Sequence, residues 1–192
     1  MKPMIGYAPK SFADTLSSFA DAITHGVDAV SFKLSTQDEH RVCLLRELLT
    51  YAEDARPNLS FLIEIENATV EAADRTVSLM KEYGVLDRTY ISCLNGEILG
   101  YLKRVHQVHT VGAPDFQMEC FTRGDYRYYD AIALSADVVR SPIFDLYSAK
   151  NLPMHMYADD ETDVALCIEN GATLICTSDP AMLMKYRASL DK

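Results

Sequence analysis

Residues 61–67 read Phe61-Leu62-Ile63-Glu64-Ile65-Glu66-Asn67. Successive side chains of a strand point to opposite faces, so Leu62, Glu64 and Glu66 share one side and Ile63 and Ile65 the other. On either side of this strand, read as Ser60 to Glu66, the apolar period changes to that of a helix. Asp38 to Asp54 places Val42, Leu45, Leu48 and Leu49 on one face, and Thr69 to Tyr83 is closed by Gly84. A strand between two helices belongs to a parallel sheet whose outer face is covered by helices. Ile63 and Ile65 then meet the helices. Glu64 and Glu66 are expected to point inward, into the mouth of whatever the strands enclose.

The same alternation extends in both directions. Strands are expected at Met4–Tyr7, Ala29–Leu34, Tyr90–Ser92, Val108–Val111, Ala131–Leu134, Pro153–Tyr157 and Thr173–Cys176. Helices are expected at Ser11–His25, near Glu97–Arg104, near Pro142–Lys150, at Glu161–Asn170 and from Pro180 to about Ser189, with a less regular segment reaching Tyr129. Eight strands in 192 residues leave 24 per unit, enough for a strand, a helix and two short loops. That count predicts an α/β fold: a compact (β/α)8 TIM barrel, read as one domain over residues 1–192. An open doubly wound sheet is the alternative, but neither GxGxxG nor GxxxxGK[ST] follows the first strand.

Composition narrows the function. Apolar residues make up 48% and charged residues 24%, with a net charge of −10. A surplus of acid argues against nucleic acid, whose phosphates are held by clustered Lys and Arg. No apolar run approaches the about 18 residues of a membrane span. Met1 to Lys10 has no apolar signal-peptide core, so a cytoplasmic location is expected. Cys43, Cys93, Cys120, Cys167 and Cys176 form no CxxC or CxH pair, which fits buried thiols in a reducing compartment.

In a barrel, chemistry sits at the C-terminal ends of the strands. The sequence places there Tyr7; Ser31, Lys33 and Ser35; Glu64, Glu66 and Asn67; Ser92, Cys93 and Asn95; His109 and Thr110; Ser135 and Asp137; Tyr157, Asp159 and Asp160; and Thr177, Ser178 and Asp179. Carboxylates taken out of water need partners. Lys33 on the neighbouring strand is the expected partner of Glu64 or Glu66, and its removal is expected to strand them. His25, His40, His106 and His155 read as helix, loop or strand-face residues, which leaves His109 as the one histidine expected to reach a strand end.

Several stretches resemble the glycerophosphodiester phosphodiesterase family. Asp14 to Ile23 followed by Gly26-Val27-Asp28-Ala29-Val30 is similar to its ENTLAAF helix and GADGIELD strand. Leu62-Ile63-Glu64-Ile65-Glu66 resembles its IEIK, and Ile91-Ser92-Cys93-Leu94 its ISSF. Leu152 to Tyr157, then Gly171 to Pro180, resembles its closing LPVHVWTVN and GVDGIITDxP. The resemblance implies a phospholipase-C-like phosphodiesterase barrel acting in lipid and glycerophosphodiester metabolism. That family cuts phosphodiesters with two histidines and a divalent metal. Here the HRG position reads Gly6-Tyr7-Ala8-Pro9, and Ser35 leads almost directly to Asp38 where the family's second histidine opens an insertion. The acids of ELD fall on Ser31 and Lys33, the lysine of IEIK on Glu66 and the late tryptophan on Tyr157.

The departures imply a pseudoenzyme. A hard divalent cation wants several oxygen ligands and repels an ammonium, so Lys33 is expected to take the place of the metal. Glu64 is the one family metal ligand left, for Mg or Ca if the protein is active. The leading expectation is a barrel without hydrolysis that binds a small phosphate- or carboxylate-bearing ligand through Lys33, Ser31, Ser92, Tyr157 and Tyr7. A relocated catalytic site using Glu64, Glu66, His109 or Asp159 is a second. A non-enzymatic interaction protein is the third: the aromatic run Asp125 to Asp130 either packs beneath the fifth helical segment or serves a partner or a homo-oligomer.

Overall fold

Eight short alternating stretches become strands that pair in chain order until the last meets the first. The computed structural model describes residues 2–10 and 14–190. Its strands are β1 (Met4–Tyr7), β2 (Ala29–Leu34), β3 (Ser60–Ile65), β4 (Thr89–Ser92), β5 (His109–Gly112), β6 (Ala131–Ser135), β7 (Met154–Tyr157) and β8 (Leu174–Thr177). Every neighbouring pair is parallel, and β1 pairs with β8 to close the barrel. The helices are α1 (Leu16–Thr24), α2 (Glu39–Ala55), α3 (Val70–Glu82), α4 (Gly96–Tyr101), α5 (Ala136–Arg140), α6 (Phe144–Ser148), α7 (Glu161–Glu169) and α8 (Pro180–Leu190). This is the (β/α)8 barrel that the alternation predicts, not an open sheet.

The core has two layers. Val30, Phe32 and Leu34 of β2 and Phe61 and Ile63 of β3 are fully buried against the helices, alongside Phe19 of α1 and Leu45, Leu48 and Leu49 of α2. The opposite faces of the strands fill the barrel: Ala29, Leu62, Leu174 and Cys176 cluster there with Met4, Ala8 and Tyr90. Gly6 belongs to this inner layer, because a Cβ at that position would stand 2.6 Å from Cys176 Sγ.

Local chemistry sets the ends of the elements. The Thr15 and Ser18 side chains cap α1 reciprocally, so the helix begins at Leu16; the expected start at Ser11 lies outside the described residues. Between β6 and β7 the expected helix over Pro142–Lys150 is replaced by two. Ser135 caps α5 directly at the end of β6, and α6 follows after Ser141. Pro142 has no N–H to extend the ladder of α5, which separates them. β5 begins at His109, so this histidine is exposed at the N-terminal end of the barrel, stacked 5.2 Å from Tyr90. The expectation that it reaches the mouth is corrected: as the first residue of β5 it lies at the end opposite the C-terminal strand ends. No described helix is long and apolar enough to cross a membrane.

Candidate ligand site in the barrel mouth

The C-terminal strand ends surround a cavity of ≈ 680 Å³. Ser31 and Lys33 of β2, Glu64 of β3, Ser92 of β4, Tyr157 of β7 and Thr177 of β8 all line it. They meet because one register runs across three strands: Lys33 is level with Glu64, and Glu64 with Ser92. Val111, Gly112, Ala113, Ala133 and Leu134 make the opposite wall apolar.

Two expected members lie elsewhere. Tyr7 is 8% exposed and points outward, its ring edge-on to Phe19 at 5.6 Å. Alternation is the cause: Gly6 and Ala8 are the inward positions of β1, and Tyr7 falls between them. Glu66 does not line the cavity. β3 ends at Ile65 and Asn67 turns the chain with φ +47°, so the alternation that carries Glu64 inward stops one residue short of Glu66.

Lys33 Nζ lies 3.4 Å from Glu64 Oε1, with the side chains 50% and 33% exposed. The pair is wetter than an inward-facing ion pair suggests, because the mouth above it is open. Ser31 and Tyr157 line the same cavity. Burial among barrel side chains, reinforced by Cys176 and Glu64 nearby, pushes the Tyr157 hydroxyl well above its ordinary range. The residue as a whole is 37% exposed and lines the cavity. Burial also raises the thiols that line the cavity, Cys93 to about 11 and Cys176 to about 12. At neutral pH the phenol and both thiols are therefore protonated, donors and not nucleophiles.

Sequence reading did not anticipate Asp14 and Arg41 as lining residues. Arg41 of α2 crosses beneath Lys33 to form a two-pronged ion pair with Asp14, Nη1 to Oδ1 at 2.6 Å and Nη2 to Oδ2 at 3.2 Å. Asp14 precedes α1 and Arg41 stands in the first turn of α2, so no strand periodicity marks either one. At the rim, Lys10 bridges to Asp159 at 3.0 Å with both side chains largely exposed.

The aromatic run after β5 packs inward. Tyr126 and Tyr129 lie 5.4 Å apart, edge to face, and each contacts Phe121. Tyr129 is 5% exposed, and its ring fills the space beside Gly112 where a Cβ would stand. Their hydroxyls have no hydrogen-bond partner among the described residues.

The residues present do not suit a divalent metal. Among the described residues, no group of three or more His, Cys, Asp or Glu side chains is placed to hold one. The carboxylate that faces the cavity centre, Glu64, has the Lys33 ammonium beside it.

No profile of a known protein family matches the chain, and no curated protein matches it in sequence. Solved structures do match in fold. A glycerophosphodiester phosphodiesterase from Parabacteroides distasonis aligns with a TM-score of 0.75 at 13% identity, over 99% of this chain and 98% of that one. One from Thermotoga maritima gives 0.69 at 15% identity, over 97% and 99%. A mandelate racemase/muconate lactonizing enzyme from Roseiflexus sp. gives 0.66 at 11% identity, covering 95% of this chain but 56% of that one. The chain thus has the barrel of the glycerophosphodiester phosphodiesterases from end to end, whereas it matches only part of the larger enzyme.

Proposed function

We propose that this barrel binds a small phosphate- or carboxylate-bearing molecule in its mouth and does not hydrolyse glycerophosphodiesters. The observation that carries the reading is the half-exposed Lys33 ammonium, held 3.4 Å from Glu64 at the C-terminal end of the barrel. An ammonium is a compact point charge suited to an anionic oxygen. Ser31, Ser92 and Tyr157 add hydroxyl donors to the same cavity, and Glu64 is an acceptor for a hydroxyl on the same ligand. Val111, Gly112, Ala133 and Leu134 of β5 and β6 offer an apolar surface to the rest of the ligand.

The case against hydrolysis rests on the groups that would have to carry it. Diester cleavage asks for a proton donor poised near neutral pH or a metal-activated water. No histidine lines the cavity among the described residues, Tyr157 holds its proton firmly, and the carboxylates are not grouped for a cation. A role in lipid or glycerophosphodiester metabolism would then be one of ligand binding.

Titration calorimetry with inorganic phosphate and glycerol phosphate tests the binding. Saturable binding that weakens at least about tenfold in Lys33→Met is expected, the loss of one charge-assisted contact. Binding that ignores Lys33→Met overturns the anion reading. Glycerophosphodiesters incubated with Mg or Ca are expected to release no glycerol phosphate above a blank. Metal-dependent release abolished by Glu64→Gln would instead establish a phosphodiesterase with a relocated site.

A further inference from the structure

β1 pairs with β2 only at Gly6↔Ala29 and Tyr7↔Val30, whereas β2 runs on to Leu34. Beyond Tyr7 the β1 chain leans toward β8, where the Ala8 N–H donates to the Thr177 carbonyl. The edge of β2 that faces β1 therefore outruns its neighbouring strand at the level of Lys33. Arg41 takes the place of the missing strand. Its Nε and Nη2 donate to the Lys33 carbonyl at 3.0 and 2.6 Å, while Nη1 and Nη2 hold Asp14. The guanidinium lies 4.1 Å over the Phe32 ring, and the Arg41 and Asp14 side chains are 7% and 1% exposed. A buried fork of this kind has few alternative geometries.

We propose that Arg41 is a positioning residue: by gripping the Lys33 carbonyl it fixes the strand end that aims the Lys33 ammonium at Glu64 and at the anionic group of the ligand. The last clause rests on the anion-binding reading; the first does not. A lysine at position 41 keeps the charge but lacks the planar fork that serves a carbonyl and a carboxylate together.

The experiment follows the Lys33 ε-carbon by NMR in the protein without ligand. Glu64→Gln is expected to move this signal in the wild type, and to move it by less than half as much in Arg41→Lys. Phosphate affinity is expected to fall about five- to tenfold in Arg41→Lys. In a Lys33→Met background the same change is expected to alter affinity less than about twofold, because Arg41 acts through Lys33. An undiminished response of the Lys33 signal to Glu64→Gln in Arg41→Lys overturns the inference. So does an additive loss of affinity, which would mean that Arg41 touches the anion itself. If the wild type shows no phosphate-dependent change at all, the anion reading fails while the Lys33 signal still decides the role of Arg41. Should Arg41→Lys not fold, Asp14→Asn releases one side of the fork and is read by the same outcomes.

Discussion

Replacing Arg41 with methionine measures how much the barrel relies on the ion pair in its wall. Methionine retains much of the apolar stem that packs on Phe32 but deletes every donor. Two acceptors lose that partner together: the Asp14 carboxylate, 1% exposed, and the Lys33 carbonyl. Breaking a buried pair by removing one partner costs about 3–5 kcal/mol, chiefly the stranded charge. A lost bond to the carbonyl adds about 1 kcal/mol, offset in part if water or loop movement reaches Asp14. A net loss of about 4 kcal/mol is expected, a large share of the about 5–15 kcal/mol that holds a typical domain folded. Urea unfolding followed by circular dichroism reads it directly. With a slope of about 2–3 kcal/mol/M, the midpoint should fall by roughly 1.3–2 M at unchanged slope. Adding Asp14→Asn to Arg41→Met should recover about 1–2 kcal/mol, because it removes the orphaned charge. A loss under about 1 kcal/mol for Arg41→Met, or a further loss on adding Asp14→Asn, refutes the reasoning, since either result means that the carboxylate is hydrated where it lies.

Lys33→Met presents the opposite case. Its pair with Glu64 is 50% and 33% exposed, so the change should cost under about 1 kcal/mol in the same urea assay while abolishing most phosphate binding. His155 is buried inside the barrel against Tyr90, with its Nδ1 unpartnered among the described residues, and burial lowers its pKa from 6.5 to about 4. The unfolded chain therefore takes up a proton below pH 6.5 that the folded chain refuses. Stability is complete above that pH and falls by up to about 3 kcal/mol as pH drops toward 4, a slope that His155→Leu should flatten in urea titrations at stepped pH. Gly6→Ala should destabilise by about 1–3 kcal/mol through overpacking on Cys176 Sγ, and Cys176→Ala should relieve it; independent, additive losses in that double variant would contradict the contact.

The wall of the mouth was partly legible in the residues alone. Lys33, Glu64 and Ser92 follow from alternation along strands plus one assumption, that neighbouring strands run parallel and in register. Applied to Tyr7 the rule is undecided from the residues alone, because a four-residue strand gives too little alternation to separate inward from outward. It misplaces Glu66 because the rule holds only while the strand lasts, and Asn67 ends it with a left-handed turn. His109 fails for a different reason: it opens β5, and the first residue of a parallel barrel strand lies at the end away from the mouth. Arg41 and Asp14 carry no periodic signal, since each is a single charged residue in or before the first turn of a helix.

By itself the sequence determined the fold class, the order of elements and the opposed pair at Lys33 and Glu64, since apolar periodicity and chain connectivity are local properties. That a lysine stands at position 33 and a tyrosine at position 7 is equally readable, because it needs only the residues at those positions. Tertiary structure decided how wet the Lys33–Glu64 pair is, which of the inward positions share a cavity, and that a guanidinium from α2 completes the edge of β2. Solvation and closure depend on segments far apart in the chain: Asp14, Arg41 and the Lys33 carbonyl meet only because β2 continues past the end of its pairing with β1. No pattern along one strand records where its neighbour stops.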